Sequence, residues 1–229
     1  KTHHKSPVPP CQSKIPEGAA GPTVDAPRSL WYAYRTVRRA LMVLLLSLFS
    51  VTSPVRAEPK SYVLVPARSQ VMFEASFPLG DFRGSTQEVR GEFQADLENI
   101  PAGIRGNVTV NPASLKTGID LRDRDLRTTL EVDKHPHIRF TVREVRASFP
   151  SLAERADTQL TVEGELSIRG VDRPITLTGR AQIRDGQVWV RGEGTLRMTD
   201  YGISPPRKFF LSVGDQARVA FDVLLAPGE

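Results

Sequence analysis

Cysteine is nearly absent: the 229 residues contain one, Cys11, and nothing from Glu58 onward adds a second. That region therefore has no disulfide, no thiol nucleophile and no cysteine metal ligand. Histidine is also scarce, with His135 and His137 the only two beyond residue 57. They flank Pro136, and no third histidine or cysteine is present beyond residue 57 to complete a ligand set, so no metal site is expected. Long apolar runs are missing as well. The run from Ala40 to Val51 covers twelve positions before Ser53 and Pro54 interrupt it, whereas a spanning helix needs about 20. No Gly-x-Ser-x-Gly elbow, phosphate loop or dinucleotide fingerprint occurs, so the sequence carries no motif for acyl transfer, phosphoryl transfer or hydride transfer.

What is present divides at about residue 57. Arg35, Arg38 and Arg39 form a positive region, Ala40–Val51 an apolar run, and Val55-Arg56-Ala57 a small-x-small site. These are the three parts of a secretory signal in their working order. Residues 1–57 are thus expected to be a non-domain leader, with a signal peptide over about 35–57 cleaved after Ala57. Adjacent Arg38 and Arg39 leave the Sec and twin-arginine routes both open. The domain is expected over 58–229, exported.

This division changes the meaning of the charge. The whole chain has 31 Lys and Arg against 26 Asp and Glu; the leader takes eight and two of these, leaving 23 against 24, a net charge of about −1. The basic character belongs to the leader. Nucleic acid is therefore not an expected partner of the domain.

From Val71 onward, apolar residues occupy every second position. Val71, Phe73, Ala75 and Phe77 begin the series, followed by Val89, Gly91, Phe93, Ala95 and Leu97. The same beat recurs at Val108 and Val110, Ile138 to Val142, Val162 to Ile168, Ile175 and Leu177, Val188 to Met198, and Val219 to Leu225. Period two signals strands with one wet and one buried face, the habit of antiparallel sheets. Turn residues separate the runs at Pro78–Asp81, Pro101–Gly103, Gly170–Pro174 and Asp185-Gly186, the last a strong type I′ hairpin signal. About eight long strands predict an all-β fold closed into an antiparallel barrel, with a two-sheet sandwich as the alternative. The inward positions mix large residues (Phe73, Phe93, Phe140, Leu166, Phe221) with small ones (Ala75, Gly91, Gly164, Gly192, Gly194). Two readings stand side by side: glycines that relieve strand curvature, or a cavity for an apolar ligand.

One stretch breaks the pattern, Ser114 to Phe140. Asp120 can cap a short helix from Leu121, with Asp123 favouring its positive end. Leu126 and Leu130 share a face at i, i+4, while Arg122, Arg124 and Arg127 are expected to point elsewhere. The Asp and Arg residues here read as solvated or structural pairs rather than an acid–base site, with Arg122-Asp123 pinning the helix to the barrel or contacting a ligand headgroup.

Short pieces stand in a fixed order along the chain: Ser114-Leu115-Lys116-Thr117-Gly118, Arg122-Asp123, Leu126-Arg127, Asp133-Lys134-His135-Pro136 leading into Ile138-Arg139-Phe140, Val162-x-Gly164-x-Leu166-x-Ile168-Arg169-Gly170-Val171 with Pro174, Arg197-x-x-Asp200-Tyr201-Gly202-Ile203, and Val213-Gly214-Asp215. In these pieces the chain resembles the YceI-like, polyisoprenoid-binding family of lipocalin-like proteins, which implies export to the periplasm. The resemblance implies an extended eight-stranded antiparallel lipocalin-like barrel with one short helix. It also implies an apolar tunnel holding an isoprenoid chain such as a polyprenyl phosphate or a quinone. Phe73, Ala75, Phe93, Phe140, Gly164, Leu166 and Phe221 are the expected lining. Arg122, Asp123 and His135 are motif residues with a headgroup or structural role. No catalytic residue, metal or cofactor is expected, and the partner is a long-chain isoprenoid lipid with transient membrane contact. The alternative is an accessory protein or weak enzyme acting on a bound quinone or lipid in redox or stress response. Pro78 and Gly80 depart from the family pattern at the rim after the first long strand.

Overall fold

A computed structural model describes residues 58–152, 156–208 and 211–228. The leader lies outside them, and so does the signal-peptide reading. The strands run β1 (Lys60–Leu64), β2 (Gln70–Ala75), β3 (Phe82–Thr86), β4 (Val89–Ala95), β5 (Arg105–Val110), β6 (Ile138–Ala147), β7 (Thr158–Ile168), β8 (Val171–Arg184), β9 (Gln187–Arg197), β10 (Arg207–Lys208), β11 (Leu211–Ser212) and β12 (Gln216–Pro227). Among the described residues one α-helix, α1 (Asp120–Thr129), interrupts the series between β5 and β6.

Neighbours pair in the order β1-β4-β5-β6-β7-β8-β9-β12, and β12 pairs back onto β1, closing an antiparallel barrel of eight strands. Closure leaves no edge along this ring. β2 extends β1 as a broken stave, also paired to β12, and β3 extends β4 in the same way. The break at Pro66–Arg68 follows from proline, which cannot donate to the ladder. Buried Ser69 stitches the break to the barrel: its hydroxyl donates to the Val65 carbonyl at 2.7 Å and accepts from the Leu224 amide at 3.1 Å.

The inward pattern holds along each strand. Tyr62, Leu64, Val89, Ala95, Val188, Val223 and Leu225 form one buried cluster toward one end. Leu166, Ile168, Ile175, Leu177, Leu196, Tyr201, Ile203 and Ala217 form a second toward the other. A register shift in β6 between Val142 and Glu144 lets both Val142 and Val145 face inward. Outside, exposed pairs such as Arg146–Glu163 and Arg143–Glu165 cross between strands; such pairs add solubility more than stability.

Asp185 and Gly186 both have positive φ (51° and 74°), as a type I′ turn requires. The turn expected at Gly170–Pro174 is shorter and earlier. Arg169 (φ 52°) and Gly170 (φ 74°) make a second two-residue turn, and Val171–Pro174 already belongs to β8. Pro174 is accommodated because β9 pairs β8 only from Thr178 onward, so no ladder donor is wanted there.

Candidate functional site

The barrel is hollow. A cavity of about 830 Å³ runs between its two ends, within the range of small-molecule sites. Phe73, Ala75, Phe93, Phe140, Leu166 and Phe221 lie on its wall, as does most of the inward face of every barrel strand.

The lumen stays open because of how the aromatic rings lie. Phe73 stands opposite Gly84, Phe93 opposite Gly106, and Phe221 opposite Gly192 in the strand register. Phe140 lies diagonally over Gly164. A Cβ on these glycines would sit 2.2 Å from the Phe73 ring, 2.2 Å from Phe93, 2.6 Å from Phe221 and 2.3 Å from Phe140. Each ring is therefore folded down onto a neighbouring glycine, covering backbone that has no side chain of its own. Gly164 corrects the expected lining: it is covered by Phe140 and does not reach the lumen. Gly84, Gly106, Gly164 and Gly192 thus serve as seats for rings, whereas a Cβ on Gly194 would meet Leu177 and one on Gly91 the Asn107 carbonyl.

One end is a mouth. The lining residues that are also exposed, Gly80, Ile119, Leu121, Asp125 and Pro206, all lie at the end carrying α1 and the β2–β3 turn. At the opposite end the lining residues Leu97, Ile104, Val145, Leu152 and Leu160 are half-buried, and Tyr62 is buried. Among the described residues four polar side chains line the cavity. Arg122, Asp125 and Thr129 are at the mouth, and Tyr62 is at the far end. Burial, helped by Asp96 and Glu98, raises the Tyr62 pKa, so its phenol stays neutral.

Helix α1 builds the polar mouth, and here the structure differs from the sequence expectation. Ile119 occupies the N-cap position and Asp120 is the first helical residue, without a side-chain cap bond. Arg122 shares the i, i+4 face of Leu126 and Leu130, and Leu121 leads a parallel row with Asp125 and Thr129; all six line the cavity. The Arg122 guanidinium packs 4.8 Å from the Phe82 ring centroid, a cation–π contact that holds a cation beside an apolar wall.

Asp123 points away from the lumen and is not the partner of Arg122. Its Oδ1 accepts from the Thr117 amide at 2.8 Å and the Thr117 hydroxyl at 2.6 Å, with Lys116 Nζ 3.8 Å from Oδ2. The Thr117 hydroxyl, then its amide, hold the Asp123 carboxyl below the usual range, against the opposing effect of burial. The family-motif pair thus divides its work: Asp123 fastens the start of α1, and Arg122 faces the mouth.

His135 is half-buried against Gly170 in the β7–β8 turn and does not line the cavity. It belongs to a latch at the other end of the helix. Glu131, just past α1, pairs with Arg169, whose other nitrogen donates to the Gly202 carbonyl at 2.6 Å. Lys134 and Arg169 together lower the Glu131 pKa, Lys134 the more strongly. Asp215 holds the adjoining turn by accepting from the Thr199 amide and hydroxyl, which lower its pKa. No group of three His, Cys, Asp or Glu capable of holding a metal occurs among the described residues, and no helix among them is long and apolar enough to cross a membrane.

The family model described as the YceI-like domain matches residues 62–225, nearly all of this barrel. The chain belongs to the YceI-like family. Relatives include a UPF0312 protein of Pectobacterium atrosepticum, 30% identical over 129 residues, and Protein YceI of Shigella flexneri, 28% identical over 128. The matches cover 53% and 52% of this chain and span 62% of each relative's length. Solved structures share the YceI-like fold. A polyisoprenoid binding domain from Saccharophagus degradans aligns with a TM-score of 0.59 at 16% identity, over 74% of this chain and 99% of that one. Burkholderia cenocepacia BcnA aligns at 0.58 and 14%, over 70% and 98%.

Proposed function

We propose that this protein is an exported carrier that holds a long-chain isoprenoid lipid, a polyprenyl phosphate or a quinone, inside the barrel. The observation that carries the reading is a lumen walled by apolar side chains from end to end, with its polar groups confined to the two ends. Such a space binds without chemistry, because each CH₂ taken out of water contributes about 0.8 kcal/mol. Arg122, Asp125 and Thr129 offer donors and acceptors to a polar head at the mouth while the tail runs inward toward Tyr62. That the Saccharophagus structure of the same fold is described as a polyisoprenoid binding domain supports the choice of an isoprenoid. Export to the periplasm rests on the arginine, apolar and small-residue order of residues 35–57.

The test is extraction of the purified protein with organic solvent followed by mass spectrometry, then titration of the stripped protein with polyprenyl phosphates and quinones. A stoichiometric long-chain isoprenoid is expected. An empty extract together with no uptake of either class would sink the proposal.

A further inference from the structure

The rim of the mouth is apolar on its outer side as well as its inner one. Among the described residues, the large exposed apolar side chains are Val63, Leu79, Ile119, Leu121 and Phe149. Three of these, Leu79 (80% exposed), Ile119 (49%) and Leu121 (53%), flank the mouth. Leu79 is carried by the β2–β3 turn, where the Gly80 amide donates to the Phe77 carbonyl at 2.9 Å. Ile119 and Leu121 begin α1, brought beside β3 by the bridge between Ser85 and Lys116. Ile119 and Leu121 are at once cavity wall and outer surface. The apolar surface outside is therefore continuous with the apolar surface within.

We propose that this rim, Leu79 on the hairpin with Ile119 and Leu121 on the helix, seats on a lipid bilayer so that a chain passes between membrane and lumen. The inference rests on the carrier reading. Continuity with the lumen selects a bilayer as the occupant, because a tail leaving the mouth then crosses from protein to hydrocarbon without an aqueous gap. Among the side chains described, charge on the rim is mixed. Arg83, Lys116, Arg122 and Arg124 are offset by Asp81, Asp120 and Asp125, and Arg83 is already paired with Glu74. Seating therefore depends on apolar insertion, with anionic lipid contributing little.

The test uses the full chain with Cys11→Ser and a single new cysteine, Leu79→Cys, Leu121→Cys or Phe149→Cys, each carrying an environment-sensitive fluorophore. Phe149 is at the far end from the mouth, so the comparison reports orientation whatever the leader does. Vesicles are phosphatidylcholine alone, or phosphatidylethanolamine with phosphatidylglycerol, and contain no isoprenoid. Labels at 79 and 121 are expected to brighten several-fold and to be quenched by spin-labelled acyl chains in both compositions, while the label at 149 stays unchanged. Equal responses at all three positions, or none at 79 and 121, would overturn the proposal; a response confined to anionic vesicles would overturn its apolar basis. Leu79→Asp, at a site outside the lumen, is expected to slow transfer of lipid from vesicles at least tenfold with binding capacity intact; unchanged transfer counts against docking. Lipid content measured by extraction stands apart from these readouts, so a failed carrier reading and a failed docking surface give different results.

Discussion

The smallest features of the barrel decide whether it is hollow. The nearest atoms to a methyl group on Gly106 would be those of the Phe93 ring, and to one on Gly84 those of the Phe73 ring. Gly106→Ala is therefore expected to fold at a cost of about 1–3 kcal/mol by swinging Phe93 into the lumen, with ligand stoichiometry falling. Gly179→Ala is the contrast, because its nearest neighbours are the Arg191 carbonyl and the Gly192 Cα. Backbone cannot swing aside, so that variant should lose stability without narrowing the lumen; denaturant melts set beside bound-lipid stoichiometry separate the two. Gly164 and Gly192 were legible in the sequence as small inward residues, but Gly84, Gly106 and Gly179 were not singled out, and which ring covers which glycine depends on cross-strand register over separations that periodicity does not set. Arg122 was misplaced for a related reason. Its charge argued for solvent, although its spacing from Leu126 put it on the apolar face, and a cavity mouth lined by Phe82 satisfies both. Asp123 adds a pH dependence. Its folded pKa lies below its ordinary value through the Thr117 hydroxyl and amide, so its contribution is complete above about pH 4 and disappears as pH falls through the lower folded value. Asp123→Asn should melt earlier than the native protein at pH 7 and converge with it in acid, as thermal scans from pH 7 to pH 2 will read; a gap that persists unchanged at pH 2 would mean the charge is not what fastens the helix.

At the scale of elements, α1 is held at both ends while its middle faces the lumen. Asp123 fixes its start to Thr117, and the Glu131–Arg169 pair fixes its end to the β7–β8 turn and to Gly202. Arg169 sits at φ 52°, a left-handed conformation that disfavours a side chain and suits glycine. An arginine there trades backbone comfort for the latch. Arg169→Gly should keep the hairpin and release the helix, so hydrogen exchange over 120–134 is expected to accelerate while β7 and β8 stay protected, and bound lipid should exchange faster. Loss of protection in β7 and β8 as well would assign Arg169 to the barrel rather than to the latch. Most staves were legible as period-two runs. β1 and β3 were not, since Pro66 splits one stave into two short pieces, and Phe82 to Thr86 carries an arginine, a glycine and two hydroxyl residues where the pattern needs apolar beats. The bridge from Ser85 to Lys116 that seats α1 beside β3 is a tertiary contact between two such unmarked pieces.

For the barrel as a whole, an exposed mouth at one end and half-buried lining at the other, among the described residues, make the lumen a measuring space. On the carrier proposal, a head at Arg122, Asp125 and Thr129 would leave the tail one direction to run, toward the half-buried far end and Tyr62. A ligand that binds only the folded barrel stabilises it by about 2.7 kcal/mol at a hundredfold excess over Kd, which for a domain of this size is a rise in Tm of roughly 5–10 °C. If the proposed carrier binds by apolar burial, Tm at fixed ligand concentration should climb with each isoprene unit added to the tail. It should then level off once the tail fills the space between mouth and far end, since further units have no wall left to touch. Tyr62→Trp, enlarging the side chain at the closed end, is expected to bring the plateau to a shorter chain, and Tyr62→Phe to leave it where it is. The measurement is a series of thermal melts with stripped protein and polyprenyl ligands of increasing length. A response independent of length would place the tail outside the barrel, and a rise without a plateau would mean that the far end opens to let it through.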